Sequence, residues 1–246
     1  SMKNLYTKAL VLILGTLVLS TQLSAQSIPE VLYYKFDRTD GIVINHASNI
    51  TAATDTAFII GAQIQDSTGQ CGHALVGTGT SGTSDYVNTG WTPDLGQGSW
   101  TISFWANNID TGSTTLFYIF GEPNTSSFRC FTNGAAGTGN WILRGAGLSD
   151  LTAFGGASSG STVTTFTFDS LTSMSKAYVN GIVVDSVTQT AQNLTGTGIF
   201  KFGVYSSSTG LNNGGLMDEF RFHNRCLSDS ELAELMYVDT IGSLTD

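Results

Sequence analysis

The chain has 246 residues, a net charge of −9, 29 glycines and only 12% charged residues. No run of cations is available to neutralise phosphates, so the composition argues against nucleic acid as a partner. Three prolines and 11% aromatic residues argue against disorder. The Gly, Ser and Thr content suits short strands joined by tight turns. A chain of this length can close one large β domain without metals or disulfides.

The first element is a leader. Lys3 and Lys8 precede an apolar run, Ala9–Leu19, which leads into small residues ending at Ala25. That order predicts a signal peptide over residues 1–25, cleaved after Ala25. The run is shorter than the roughly 20 residues of a membrane span, so the expected product is an exported protein with no span after cleavage, either secreted, periplasmic or on the cell surface. One domain is expected over 26–237, followed by a tail over 238–246.

Strand signals then recur in order. Val31–Asp37 alternates, with Leu32, Tyr34 and Phe36 on one face. Ala57–Ile64 follows. Ser99–Asn107 sets Trp100, Ile102 and Phe104 against Thr101, Ser103 and Trp105. Further strands are predicted at Leu116–Phe120, Phe128–Thr132, Asn140–Arg144, Thr162–Phe168, Ile199–Tyr205 and Leu216–Phe222. Asn180-Gly181 predicts a two-residue type I′ hairpin, with Val179 opposite Ile182, Tyr178 opposite Val183 and Lys176 opposite Asp185. Ser228 with Glu231 forms a capping box, and Leu232, Leu235 and Met236 fall at helical spacing. The fold class is therefore all-β, closed by a short C-terminal helix.

Four stretches, in order, resemble the laminin G-like, concanavalin A-like lectin/glucanase domains. They are Leu32–Asp37; Gly72-His73-Ala74-Leu75 with Asp85-Tyr86-Val87; Trp100–Trp105; and Tyr178–Gly181 with Gly215–Asn224 and Leu227–Leu232. The strand before the Asn-Gly hairpin, Ser161–Asp169, lacks the Trp usual there. The resemblance implies a two-sheet antiparallel jelly-roll sandwich, with ligands on the concave sheet or the loop rim. It also implies that Cys71 and Cys226 can approach each other, the disulfide expected from the three cysteines. Related domains often hold a structural calcium between the first and last strands, with an Asp in the position of Asp218 as a ligand; calcium takes six to eight oxygens, and backbone carbonyls with Asp37 would help supply them here.

Parity along Leu216–Phe222 puts Asp218 with the inward Phe220 and Phe222. A buried carboxylate there must either bind a cation or accept backbone N–H bonds. The acid cluster of glucanases, Glu-x-Asp-x-x-Glu, is absent, and the three histidines are scattered. The leading reading is thus a non-catalytic, carbohydrate-binding module for a polysaccharide or glycoconjugate. Trp105, Trp141, Arg144 and Tyr205 are its candidate stacking and charged residues, with Asn212 and Asn213 as amide partners. An adhesive domain contacting surface or extracellular proteins is the alternative, and a glycoside hydrolase the third. Sequons at Asn49, Asn124 and Asn193 arise readily in so Thr-rich a chain.

Overall fold

The computed structural model describes residues 31–47, 55–61, 64–66, 68–80, 84–123, 128–132, 139–145, 147–190, 195–206 and 209–236. The expected leader, the tail and the three sequon asparagines lie outside them. Among the described residues no helix is long and apolar enough to cross a membrane.

Two antiparallel sheets pack face to face. Sheet A runs β14 (Ile182–Thr188), β13 (Met174–Val179), β12 (Thr162–Asp169), β7 (Trp100–Asn107), β16 (Leu216–His223), β5 (Ala74–Val76) and β4 (Ile64–Asp66), and β1 (Leu32–Tyr34) also pairs with β16. Sheet B runs β11 (Leu151–Ala153), β10 (Trp141–Gly145), β9 (Phe128–Thr132), β8 (Tyr118–Gly121), β15 (Lys201–Phe202), β6 (Tyr86–Asn88), β3 (Thr56–Ile60) and β2 (Ile42–Ile44). This is the jelly-roll sandwich that the resemblance implied, built from the strands that alternation predicted.

The space between the sheets is filled with aromatic rings. On β7, Trp100, Ile102, Phe104 and Ala106 point into it. Phe120 meets Phe220 with ring centroids 5.3 Å apart, Phe202 meets Phe220 at 4.6 Å, and Phe128 stacks on Phe222 at 6.2 Å. Burying a ring of this kind contributes about 1.5–3 kcal/mol of transfer free energy, and each ring pair adds roughly 0.5–1.5 kcal/mol. The inward rings force the intervening residues outward, because side chains alternate along a strand.

The outer face of sheet A is covered by the end of the chain. Thr101 Oγ1 donates to the Arg225 carbonyl (2.9 Å) and accepts from Leu227 N–H (3.0 Å), which pins the segment leaving β16. Leu227 and Leu232 pack on Tyr178, and Met236 reaches the group formed by Trp105, Ala74, Val163 and Leu216. Helix α1 (Asp229–Leu235) begins with the expected capping box: Ser228 accepts from Glu231 N–H, and the Glu231 side chain accepts from Ser228 N–H.

Two details of register depart from the sequence. The hairpin turn forms as expected, with Asn180 at φ 49° and Gly181 at φ 77°, and with Val179 opposite Ile182 and Tyr178 opposite Val183. A bulge between Ala177 and Tyr178 then shifts the pairing, so Asp185 faces Ala177 and Lys176 faces Ser186. The expected Lys176–Asp185 pair is lost, and Asp185 instead accepts Thr152 N–H at 2.9 Å, tying β14 to β11 of the other sheet. The second departure is at β16, where Glu219 adopts φ 52° and the register with β7 slips between Asp218 and Arg221. Asp218 therefore pairs with Trp105, on the outer side of sheet A, while Met217, Phe220 and Phe222 point inward.

Ser228→Ala should lower the unfolding free energy by about 0.5–2 kcal/mol, the usual loss of a cap, measured by urea denaturation. Glu231 is held near about 2 by its hydrogen bond to Arg225, against an ordinary 4.5. Its stabilising contribution is therefore complete above 4.5 and is lost as pH falls through about 2. The Ser228→Ala chain, which keeps the Arg225 pair, should retain most of that acid-limb dependence, whereas Glu231→Gln should abolish it.

Candidate functional site

The residues singled out in the sequence separate into three places. Trp141 is fully buried, its ring edge-on to Phe104 at 5.7 Å, so it belongs to the inter-sheet core and offers no face to a ligand. Trp105 does lie on the side opposite Trp100, but it is 4% exposed, covered by the C-terminal segment, and its indole N–H donates to Ser161 Oγ at 2.5 Å. Asn212 is buried and structural: its Nδ2 donates to the Asn108 carbonyl at 3.1 Å, and its Oδ1 accepts Asp110 N–H at 3.2 Å. Asn213 beside it is exposed.

The Cys71–Cys226 disulfide does not form, and Cys130 is bonded to neither partner. Cys71 lies in the loop below Asp218, whereas Cys226 lines a cavity of about 470 Å³ with Thr167, Asp169, Lys176, Tyr178 and Asp229, under the segment that leads into α1. β16 separates the two: Cys71 sits near its start and Cys226 beyond its end.

Asp218 and Asp37 are brought to one loop, residues 69–73. Asp218 Oδ2 accepts N–H from Gln70 (2.9 Å) and Cys71 (3.3 Å), and Oδ1 accepts from Glu219 (2.7 Å). Asp37 Oδ1 accepts His73 N–H at 3.1 Å. Gly69 is required here, because a Cβ would stand 2.6 Å from Asp218 Oδ2 and 2.3 Å from the His73 carbonyl. Calcium takes six to eight oxygens. The oxygens of Asp218 are turned toward N–H donors, and among the described residues no group of three or more His, Cys, Asp or Glu is placed to hold a metal. These N–H contacts are the backbone-capping arrangement that the sequence offered beside a cation. Beside it Arg221 donates to Glu219 Oε2 (3.0 Å) and to Tyr33 OH (2.7 Å), a buried ion pair on the bulge.

The outer face of sheet B is different in character. Arg144 and Tyr205, both singled out in the sequence, come together there with residues that were not. Tyr118 stacks on Tyr205 (5.0 Å, 25°) and contacts Phe131 (5.0 Å), with the Arg129 guanidinium 5.0 Å from the Tyr205 ring and Arg144 5.1 Å from Phe131. Arg144 is also forked on Asp150, at 2.7 and 2.5 Å. Further along, Lys201 Nζ lies 4.1 Å from the Tyr86 ring, and Phe58 is 53% exposed.

The pairing register makes these a line. Phe58 pairs with Asn88, Asn88 with Lys201, Lys201 with Gly121, Gly121 with Arg129, and Arg129 with Arg144. Six strands at about 4.8 Å spacing carry it over roughly 24 Å. Only glycine fits at 121, since a Cβ would stand 2.7 Å from the Arg129 Cβ. The alternation in Phe128-Arg129-Cys130-Phe131 could have pointed to Arg129. Nothing in the sequence joins positions 58, 88, 121, 129, 144 and 201.

With this geometry in view, comparison with known proteins gives the class. A family profile described as the concanavalin A-like lectin/glucanases superfamily matches residues 81–233, and the chain belongs to that superfamily. No curated protein sequence matches. Among solved structures, the receptor-binding domain of botulinum neurotoxin C/D mosaic serotype is similar at TM-score 0.64 and 14% identity, over 86% of this chain and 52% of that one. The botulinum neurotoxin type G receptor-binding domain gives 0.62 and 16%, over 85% and 51%. The binding domain of Paraclostridial mosquitocidal protein 1 gives 0.64 and 14%, over 85% and 52%. The chain thus spans about half the length of these domains, and at such identity the likeness is one of fold.

Two outcomes follow from the buried groups. Trp141→Ala should cost about 3–5 kcal/mol in denaturant unfolding, as removal of a core aromatic does. Burial first, then the Glu219 charge, push the Asp218 carboxyl up to about 9, against the pull of the N–H bonds from Glu219 and Cys71. A raised pKa means the folded state holds the proton longer, so this group favours folding most fully below its ordinary 3.8, and that contribution is lost as pH rises toward about 9. Asp218→Asn should flatten the decline, read from melting temperatures across that range.

Proposed function

We propose that the chain is a non-catalytic carbohydrate-binding module of an exported protein, and that its binding surface is the outer face of sheet B. The observation that carries this reading is the line from Phe58 to Arg144, which combines an exposed ring, an amide, cations and a bare glycine on one rigid sheet. Sugar rings stack on aromatic faces and take hydrogen bonds at their edges, and strands hold such groups more rigidly than loops do. The other sheet face is closed by the chain's own C-terminal segment. The family is a lectin-like one, and a botulinum neurotoxin DC binding domain of the same fold, similar at TM-score 0.61 and 13% identity over 86% of this chain and 52% of that one, has been solved in complex with SialylT. No turnover is expected.

Affinity electrophoresis through a polysaccharide panel tests this. Phe58→Ala and Tyr118→Ala should each weaken retention roughly two- to tenfold, as about 0.5–1.5 kcal/mol per aromatic contact implies. Little change in melting temperature is expected for the exposed Phe58 and a lower one for Tyr118, which also gives up its contacts with Tyr205 and Phe131, so retention is compared below both transitions. Undiminished retention in both variants would remove this face from the account. Calcium at Asp218, with Asp37 as a second donor, is proposed from the burial of that carboxylate and from the family. A melting temperature that rises in calcium, with the rise removed by Asp218→Asn, would support it, and equal melting temperatures in calcium and in chelator would remove it.

One observation favours a second reading, a protein-contacting adhesive domain. The edge strand β14 leaves Ile182 70% and Val183 46% exposed, a feature that suits strand addition by a partner.

A further inference from the structure

We propose that the centre of the sheet B line is a subsite for the acidic groups of a carboxylated polysaccharide, an inference that rests on the carbohydrate-binding reading above and narrows it to anionic chains. The chain carries 19 acidic and 10 basic residues, so an unneutralised cluster of cations runs against its composition. Yet Lys201, Arg129 and Arg144 stand in one cross-strand line, and Gly121 between the first two has no side chain. The line therefore offers two cations flanking a bare stretch of backbone two strand spacings wide, about 10 Å.

The way the cations are held matters. The described ion pairs are Arg38–Asp40, Arg144–Asp150, Arg221–Glu219 and Arg225–Glu231. Arg129 and Lys201 are in none of them. Each lies instead over an aromatic ring, Tyr205 and Tyr86. A ring fixes a cation's position by its quadrupole without cancelling its charge, so the site is both ordered and electrostatically open. Partial burial already lowers the Lys201 pKa, and an anion placed against it would favour the charged form.

The rings bordering the line supply what a bare cationic patch lacks. Tyr118 stacks on the Tyr205 ring that Arg129 overlies, and Tyr86 lies under Lys201, so the apolar faces of successive sugars can rest on these rings while their carboxylates meet Arg129 and Lys201. A guanidinium takes a carboxylate through two parallel N–H bonds, as Arg144 already does with Asp150. A nucleic acid would require cations matched to each phosphate along its length, and the line provides two outside ion pairs, Arg144 being held by Asp150.

The test uses three immobilised probes at equal loading: a polyuronate, its carboxyl-reduced neutral counterpart, and poly-glutamate. The expected result is retention on the polyuronate at least about tenfold stronger than on the neutral polymer, weakening as salt screens the charges. Lys201→Gln and Arg129→Gln should each bring it close to the neutral value with unchanged melting temperatures, and the loss each causes on the polyuronate should exceed any loss it causes on the neutral polymer at least about fivefold. Equal retention on both polysaccharides would overturn the anionic subsite while leaving carbohydrate binding intact. Retention on poly-glutamate as strong as on the polyuronate would overturn it as unspecific charge capture. No retention on either polysaccharide would overturn both readings together.

Discussion

The structure depends on one interaction, the interlocking of phenylalanine rings between the two sheets. Phe120 and Phe202 from sheet B meet Phe220 from sheet A, while Phe128 meets Phe222. Because these residues must point inward, their strand neighbours must point out. Arg129 is thrown outward by Phe128 and Cys130, Lys201 by Phe200 and Phe202, and Asn88 by the inward Val87. The binding line is thus a by-product of the core. Its side chains need no loop to position them, and their order is set by register alone.

The two outer faces have been put to different uses. Sheet A's is spent on the fold itself, where Thr101, Tyr178 and Trp105 receive the C-terminal segment and Arg221, Glu219 and Tyr33 form a buried polar cluster next to the bulge of β16. The left-handed Glu219 turns Asp218 from the core to a loop, where it caps residues 70 and 71. A polar group that would be unpartnered between the sheets becomes a hydrogen-bonded fastening for the strand junction. Sheet B's outer face carries no such cover from α1, and it gathers three of the chain's ten basic residues.

How much of this could be read from the sequence follows the range of each interaction. The Asn180-Gly181 turn and the Ser228–Glu231 box were legible because both are decided by residues within four positions of one another. The strands were legible wherever alternation was regular, and Trp100 and Trp105 take opposite faces as parity requires. Parity failed at Asp218, because one left-handed residue inserted after it reverses the face and a non-glycine gives no warning of that. Trp141 was misplaced for another reason: alternation says that two faces differ, not which one is inward. The cationic line was invisible, since its members lie on six strands spread from 58 to 201 and only the sheet order brings them together. Net charge, summed over the whole chain, hid a local excess of the opposite sign.

The central claim is that the outer face of sheet B is the binding surface. It is tested most directly by backbone amide NMR during titration with a polyuronate oligosaccharide. The account predicts that shifts concentrate at Phe58, Asn88, Tyr118, Gly121, Arg129, Arg144 and Lys201 and saturate together. Shifts confined to loop 69–73 or to the strands beneath α1, with that line silent, would contradict it.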